Sequence, residues 1–186
     1  QELLSYLPSS LNNDPNMIEF FGQLARFNQN AITNLFQIRE DPINPGRYYA
    51  IDATEFGTHA AGHIVSLDAP PSQNADAIAI NSGTHRDTSG SIEDTQHYRD
   101  PLPLSDGTLI AAHTAETRAD GPTGNATPSR YDFRLKTTKP LPNGLLGADQ
   151  PLTAGLNKPV SYWDPDKKLT YSGNLWELQP AEVKPR

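Results

Sequence analysis

The spacing of apolar positions changes once along the chain, near residue 30. Over residues 15–27 the apolar side chains recur three and four positions apart, which builds the single stripe of an amphipathic helix. They are Met17, Phe20, Phe21, Leu24 and Phe27. Asn13 or Asp14 is placed to cap this helix, and Pro15 suits its first turn. The pattern predicts a short helix over 15–27 that closes the end of a β core.

Beyond this point, short runs rich in β-branched and aromatic residues follow one another, and several alternate apolar with polar positions. They are AITNLFQI (31–38), RYYAIDA (47–53), GHIVSLDA (62–69), ADAIAIN (75–81), GTLIAAHTA (107–115), YDFRLKTT (131–138), VSYWD (160–164), LTYSG (169–173) and LWELQPAEV (175–183). Turn-forming residues separate nearly all of them, and no helical pattern alternates with them. The sequence therefore predicts a mostly β, antiparallel protein, with an N-terminal helical segment over 1–29 and a β domain over 30–186.

Two kinds of connection interrupt these strands. Residues 81–101 and 118–130 are polar and predict long loops. Ser105-Asp106-Gly107 predicts a tight turn that begins the next strand, and Asp164-Pro165-Asp166 predicts a second turn. The oxygens of the second turn suit calcium, but a calcium loop needs six or more of them. We therefore expect a plain turn there.

Composition narrows the classes of function. The 186 residues carry a net charge of −7, with 17 prolines and 13 glycines that imply many turns. The sequence pI of about 5.1 and the scattered basic residues argue against a nucleic-acid partner. No apolar run approaches the roughly 20 residues of a membrane helix, so no membrane span is expected. The chain begins at Gln1 rather than Met, and this suggests a processed or excised product, in which a removed signal peptide would leave no trace.

The chain has no cysteine. This excludes disulfides, thiolate zinc sites, iron–sulfur clusters and cysteine nucleophiles within it. Covalent attachment of c-type haem to this chain is excluded for the same reason.

The histidines supply the candidate metal site. His59 and His63 follow Glu55, and Gly57 and Gly62 permit the chain to fold sharply there, so that carboxylate and imidazoles meet at one rim. Neutral imidazoles suit zinc, copper or nickel. We take Glu55, His59 and His63, with His113 as the remote partner, as the candidate ligands of a divalent metal. The preferred alternative is that His59 and His63 hydrogen-bond to the backbone at a turn between strands.

Three further sets of residues could serve either a functional or a purely structural role. His85 and His97, with the acidic residues around them, form either a 2-His-carboxylate site or a solvated loop, and we favour the loop. The carboxylates of Asp52, Glu55, Asp100 and Glu177 would make a hydrolase site only if they met across a channel. Aromatic residues near the C-terminus either stack on sugar rings or fill a thin core, and we favour the core. These are Tyr162, Trp163, Tyr171 and Trp176.

Several segments together resemble a known family. They are ATEFGTHAAGHIVSLD (53–68), YRDPLPLSDGTLIAAHT (98–114), YDFRLKTT (131–138) and YWDPDKKLTYSGNLWELQPAEVKPR (162–186). Over roughly 30–185 the chain resembles the β-propeller region of bacterial proteins related to the middle domain of the hydrazine synthase alpha subunit, which are distant relatives of TolB-type propellers. The resemblance implies propeller-like blades, about four at about 40 residues each. Hydrazine synthesis itself is not implied, because the haem centres of that family need Cys-x-x-Cys-His.

These observations leave two function classes open. The first is a non-catalytic binding or scaffold domain of a larger exported bacterial multi-domain protein, periplasmic or secreted, which docks a protein partner or other domains of the same parent protein. The alternative is a metal-dependent enzyme with histidine and carboxylate ligands, or a haem-enzyme subunit whose redox centres lie outside this chain.

Overall fold

A computed structural model describes residues 34–54, 56–73, 78–84, 97–120 and 129–183. The helix predicted over 15–27, and with it the segment 1–29, lies outside the described residues. Within them the chain forms strands, turns and extended segments, and no helix.

Ten strands follow one another along the described chain. They are β1 (Leu35–Glu40), β2 (Arg47–Ala53), β3 (Gly62–Asp68), β4 (Ala79–Ser82), β5 (His97–Pro103), β6 (Leu109–Thr114), β7 (Arg134–Pro140), β8 (Leu146–Pro151), β9 (Leu156–Asp164) and β10 (Lys167–Leu175).

Eight of these strands form one antiparallel sheet in the order β1-β2-β3-β5-β6-β7-β8, with β4 paired to β3. The sheet is not closed, although a single bridge between Thr84 and Leu146 brings the chain after β4 to the beginning of β8. Strands β9 and β10 form a separate two-stranded sheet, which we call the β9–β10 hairpin. The prediction of a mostly antiparallel β protein is confirmed.

The predicted turn between β5 and β6 is also confirmed. Gly107 has a φ of +91°, a backbone conformation that glycine adopts without strain. The Asp106 carboxylate accepts a hydrogen bond from the Thr108 N–H at 2.9 Å, which closes the turn. The chain then enters β6, all six residues of which are buried.

The central strands are buried on both faces. On one face Ile51, Ile64 and Ala111 belong to a cluster that also holds Tyr98 and Leu109. The other face is covered by two clusters. One consists of Ala50, Val65 and Leu67, and the other of Ala61, Ala112, Tyr131 and Phe133. Strands buried on two faces do not need polar residues at alternate positions, which explains the apolar runs in β3 and β6.

Two strands were not predicted, and one predicted strand is wrong. His97–Pro103 lies mostly in the segment that we expected to be a loop, and Leu146–Pro151 lacks a strand pattern. Ala79–Ser82 falls within the predicted run over 75–81 except for its last residue. β5 contains two prolines and charged residues, so its sequence lacks the usual strand pattern. A bulge between Arg99 and Leu102, with Asp100 at a φ of +49°, accommodates these residues in the sheet. Residues 176–183, expected to be a strand, are extended but outside both sheets.

Candidate functional site

The predicted metal ligands are brought to different surroundings. Glu55 lies outside the described residues. His59 sits in the turn between β2 and β3 at a φ of +54°, and its Nε2 lies 3.0 Å from Oδ2 of Asp120. Gly57 has a φ of +88°, so it does supply the expected bend. The partner of His59 is therefore a carboxylate of a distant segment, not the backbone of its own turn.

His63 and His113 point to opposite faces of the sheet. Register pairs Gly62 with Tyr98 and Tyr98 with His113, so these three share one face and His63 belongs to the other. His113 packs against Tyr98, with ring centroids 4.9 Å apart. Among the described residues no group of three or more histidine and carboxylate side chains is arranged to hold a metal ion. The four-ligand site, which includes Glu55, stays a prediction.

A row of buried polar side chains crosses the sheet at the end where β3 and β5 begin. It consists of Asp52, His63, His97 and Thr114, each less than 5% exposed. Asp52 pairs with His63 and His97 with Thr114, and the Gly62–Tyr98 pair places His63 and His97 at neighbouring positions. The prediction that His97 lies in a solvated loop is wrong. The burial of His97 follows from its place at the start of β5. Because β5 has no recognisable strand pattern, this burial could not be inferred from the sequence.

Asp120 is the centre of a polar cluster at the surface. It accepts hydrogen bonds from the Ser129 hydroxyl and from the Arg130 N–H at 3.0 Å, besides its contact with His59. Burial alone would raise the pKa of Asp120, but the hydrogen bonds from Ser129, Arg130 and His59 lower it below its ordinary value. The carboxylate is therefore held in its charged form.

This cluster does not have the geometry of a catalytic triad. In a triad the hydroxyl contacts the imidazole, whereas the Ser129 hydroxyl contacts the carboxylate. Tyr131 completes the arrangement, because its hydroxyl donates to the Arg118 carbonyl at 2.8 Å and accepts the Asp120 N–H at 3.2 Å. The cluster fastens the β2–β3 turn to the segment before β7.

The β9–β10 hairpin presents an amphipathic surface. Its register is Tyr162 with Leu169, Val160 with Tyr171 and Leu156 with Leu175, and side chains at these alternate positions share one face. We call these six residues the apolar face; Lys158, paired with Gly173 between them, and Asp164, paired with Lys167 beside the turn, lie on the same side. The other face carries polar pairs: the Asn157 amide donates to Asn174 at 3.0 Å, and the Ser161 and Thr170 hydroxyls lie 3.2 Å apart. A turn at Pro165–Asp166 joins the strands, as predicted.

The apolar face is open to solvent. Leu156 is 57% exposed, Tyr162 50% and Tyr171 42%. Trp163, which is 68% exposed, lies beside the turn on the opposite face. The prediction that Tyr162, Trp163 and Tyr171 fill the core is wrong. Apolar-polar alternation indicates a strand with two different faces, but it does not show whether the apolar face is covered. Only Trp176 follows the prediction, since it packs on Tyr131 and Phe133.

Glu177 anchors the base of the hairpin. Its buried carboxylate accepts hydrogen bonds from the Thr153 hydroxyl, just before β9, and from the Leu135 N–H in β7 at 2.9 Å. The Arg134 guanidinium lies 3.3 Å from the same carboxylate and donates to the Thr153 carbonyl at 2.9 Å. Both chains at the base of the hairpin are thereby tied to β7. Glu177, which we considered as one carboxylate of a hydrolase site, thus anchors the hairpin; Glu55 of that group lies outside the described residues.

Gly155 makes room for the anchor. It has a φ of +94°, and a Cβ atom there would lie 2.8 Å from a terminal nitrogen of Arg134. On the other side of the base, the Trp176 indole N–H donates to the Tyr131 carbonyl at 2.8 Å. The hairpin is thus joined to the sheet through specific polar contacts, while its apolar face extends away from them.

Within the described part of the chain, no helix is long and apolar enough to cross a membrane. Comparison of the chain with protein-family models, with curated proteins and with solved structures finds no match.

Proposed function

We propose that this chain is a non-catalytic binding domain, and that the apolar face of the β9–β10 hairpin docks a protein surface. The observation that carries the proposal is an amphipathic hairpin of nine-residue strands whose apolar side is solvent-exposed. A two-stranded hairpin is marginally stable in water, and it gains most when its apolar side is covered. The occupant is a folded protein domain with an apolar patch of its own.

The chemistry of the hairpin favours a protein over a sugar. Stacking on sugar rings needs flat aromatic platforms, whereas three of the six residues on the apolar face are leucines and one is valine. Tyr171 is also engaged within its own strand, because its hydroxyl donates to the Asn174 carbonyl at 2.8 Å. Exposed tyrosines beside aliphatic residues are typical of protein interfaces.

The proposal places this domain in a larger exported bacterial protein, periplasmic or secreted, and another domain or subunit of that protein is the occupant. Its support is the resemblance of 30–185 to the propeller region of hydrazine synthase alpha-like and TolB-like proteins. The four-stranded blades that the resemblance implies belong to the same proposal. The described strands are antiparallel, as the resemblance implies, although eight of them form one open sheet.

Photo-cross-linking tests the docking surface. Benzoylphenylalanine replaces either Tyr162 on the apolar face or its neighbour Ser161 on the polar face, in the full-length exported protein. Strand alternation points the two positions in opposite directions, so Ser161 is a matched control. We expect position 162 to cross-link to another domain or subunit, and position 161 not to. Equal cross-linking from both positions, or none from either, would contradict the proposal.

A further inference from the structure

The turn of the β9–β10 hairpin determines which backbone groups face outward. Asp164 and Lys167 flank the two-residue turn and form the first hydrogen-bonded pair of the ladder. Alternation then makes Tyr162–Leu169 and Val160–Tyr171 hydrogen-bonded pairs too. The intervening residues direct their N–H and C=O groups away from the partner strand. On β10 these are Lys168, Thr170, Ser172 and Asn174.

The contacts of the polar face agree with this assignment. The pairs that are not hydrogen-bonded bring their side chains closer, and both side-chain contacts of the hairpin, Asn157–Asn174 and Ser161–Thr170, occur at such pairs. Pro159 belongs to the same set, so its missing N–H leaves the ladder intact.

The two outer edges of the hairpin therefore differ. Pro159 interrupts the outer edge of β9 at its centre, which is a common protection of edge strands against pairing. β10 contains no proline over its nine residues. Among the described residues no other strand pairs with β10 at its outer edge, and no backbone hydrogen bond reaches that edge from elsewhere. An unprotected edge of this length is a template for an added strand.

We propose that the outer edge of β10 pairs with β10 of a second copy of this chain. Two antiparallel copies related by a two-fold axis at Tyr171 would place Thr170 opposite Ser172 of the other copy, and Lys168 opposite Asn174. All of these residues direct their backbone groups outward. About eight main-chain hydrogen bonds would form, two for each of the four facing pairs. The Asn174 carbonyl, which already accepts the Tyr171 hydroxyl, would accept a second hydrogen bond. The product is a four-stranded sheet in the order β9-β10-β10-β9.

The arrangement of charges favours a second copy in the antiparallel orientation. The antiparallel arrangement places Lys167 opposite Leu175 and Lys168 opposite Asn174, so no two lysines face each other. Leu169 of one copy faces Gly173 of the other, beside the Tyr171 side chain that lies over Gly173 in its own strand. The apolar faces of the two hairpins then lie side by side as one larger surface. This inference goes beyond the proposed docking function, because it uses the edge of the hairpin and leaves the apolar face open.

Sedimentation equilibrium of the 186-residue chain, with two matched proline variants, tests the assignment. Ser172→Pro removes an outward N–H from the edge of β10, whereas Ser161→Pro removes one from the edge of β9. We expect the unmodified chain to form a dimer. Compared with that dimer, Ser172→Pro should raise the dissociation constant about tenfold or more, whereas Ser161→Pro should leave it within about twofold. A monomer at all concentrations, or equal effects of the two variants, would overturn the proposal.

Hydrogen exchange of the unmodified chain keeps the test decisive if a proline variant fails to fold. Raising the concentration should slow exchange at the amides of Lys168, Thr170 and Ser172, but not at those of Asn157, Ser161 and Trp163. Assemblies larger than dimers, or slower amide exchange on the β9 side, would contradict the claim that Pro159 prevents strand pairing at the outer edge of β9. The docking function is unaffected by either result, since cross-linking from position 162 reports on the apolar face alone.

Discussion

At the scale of single residues, two buried titratable groups contribute to stability in different ways. Glu177 is charged and has donors around it, whereas His113 is an imidazole held among apolar and cationic neighbours. Burial of a charge without compensation is costly, so the first group stabilises the fold as an anion and the second as a neutral ring. Both effects can be measured because both depend on pH.

Removal of the Glu177 carboxylate should destabilise the fold and release the hairpin. Glu177→Ala leaves the Leu135 N–H and the Arg134 guanidinium without their acceptor, and we expect a loss of about 2–3 kcal/mol in the free energy of unfolding. Urea unfolding provides the measurement. The control is Asp132→Ala, which removes an exposed carboxylate and should cost clearly less. Equal losses in the two variants would refute the anchoring role of Glu177.

The stabilisation by Glu177 should disappear in acid. Burial alone would raise its pKa, but the hydrogen bonds from Thr153 and Leu135 and the charge of Arg134 lower it below the ordinary glutamate value. A lowered pKa in the folded state gives stability above the unfolded pKa of about 4.5, and this stability is lost as the pH falls through the folded value. The difference between wild type and Glu177→Ala should therefore shrink below about pH 4.5. A difference that stays constant down to pH 2 would contradict this assignment.

His113 should make the fold less stable between about pH 6.5 and pH 4. Burial, with smaller contributions from Lys136 and His97, lowers the pKa of His113 to about 4. The unfolded chain titrates near pH 6.5, so it binds more protons in this interval and stability falls as the pH falls. We expect this residue to account for a loss on the order of 3 kcal/mol, absent in His113→Gln. The same pH dependence in both proteins, or an NMR titration of His113 near 6.5, would contradict the account.

At the scale of elements, close approach of strands explains why some small residues are required. A Cβ atom on Gly62 would lie 2.0 Å from the Asp52 carbonyl oxygen of the paired strand. Two hydrogen-bonded strands cannot separate locally without loss of their ladder. Gly144, in the turn between β7 and β8, has no atom within 4 Å of such a Cβ, although its φ is +81°.

Alanine at these two glycines should therefore have different effects. Gly62→Ala forces β2 away from β3, and we expect a cost of about 3 kcal/mol or more. Gly144→Ala introduces only the backbone strain of a positive φ, and we expect it to lower the free energy of unfolding by about 1 kcal/mol. Thermal unfolding of the two variants decides between them. A cost at Gly62 no greater than that at Gly144 would show that β2 and β3 are not as closely paired as described.

The strands that could be predicted are those whose residues carry a local signal. RYYAIDA is β2 with its exact bounds, and the turns at Asp106-Gly107 and Pro165–Asp166 follow from turn chemistry. HYRDPLP was missed because its prolines and charges are tolerated only through a bulge, which depends on a partner strand. The contact between His59 and Asp120 joins residues 61 positions apart, and no spacing in the sequence indicates it. Likewise, the exposure of Tyr162 depends on whether another element covers the hairpin, and the alternation of apolar and polar residues does not indicate this.

At the scale of the whole molecule, the described chain consists of a well-buried sheet and an exposed hairpin. The sheet supplies the core and fastens its loops through Asp120, Tyr131 and Trp176. The hairpin adds little to that core, yet it is anchored to β7 by Glu177 and Arg134. Apolar surface that is both exposed and held in a defined orientation is suited to recognition of a partner.

Hydrogen exchange across the hairpin measures this central claim most directly. The inward amides of Val160, Tyr162, Leu169 and Tyr171 are compared at equal concentration in the chain alone and in the full-length protein, the larger exported protein that we propose. We predict much slower exchange at these amides in the full-length protein, and a return to the rates of the isolated chain when Tyr162→Ser and Leu169→Ser are combined. The matched polar-face pair, Ser161→Ala with Thr170→Ala, should keep the slow rates. Identical exchange of the hairpin in the two proteins would contradict the account.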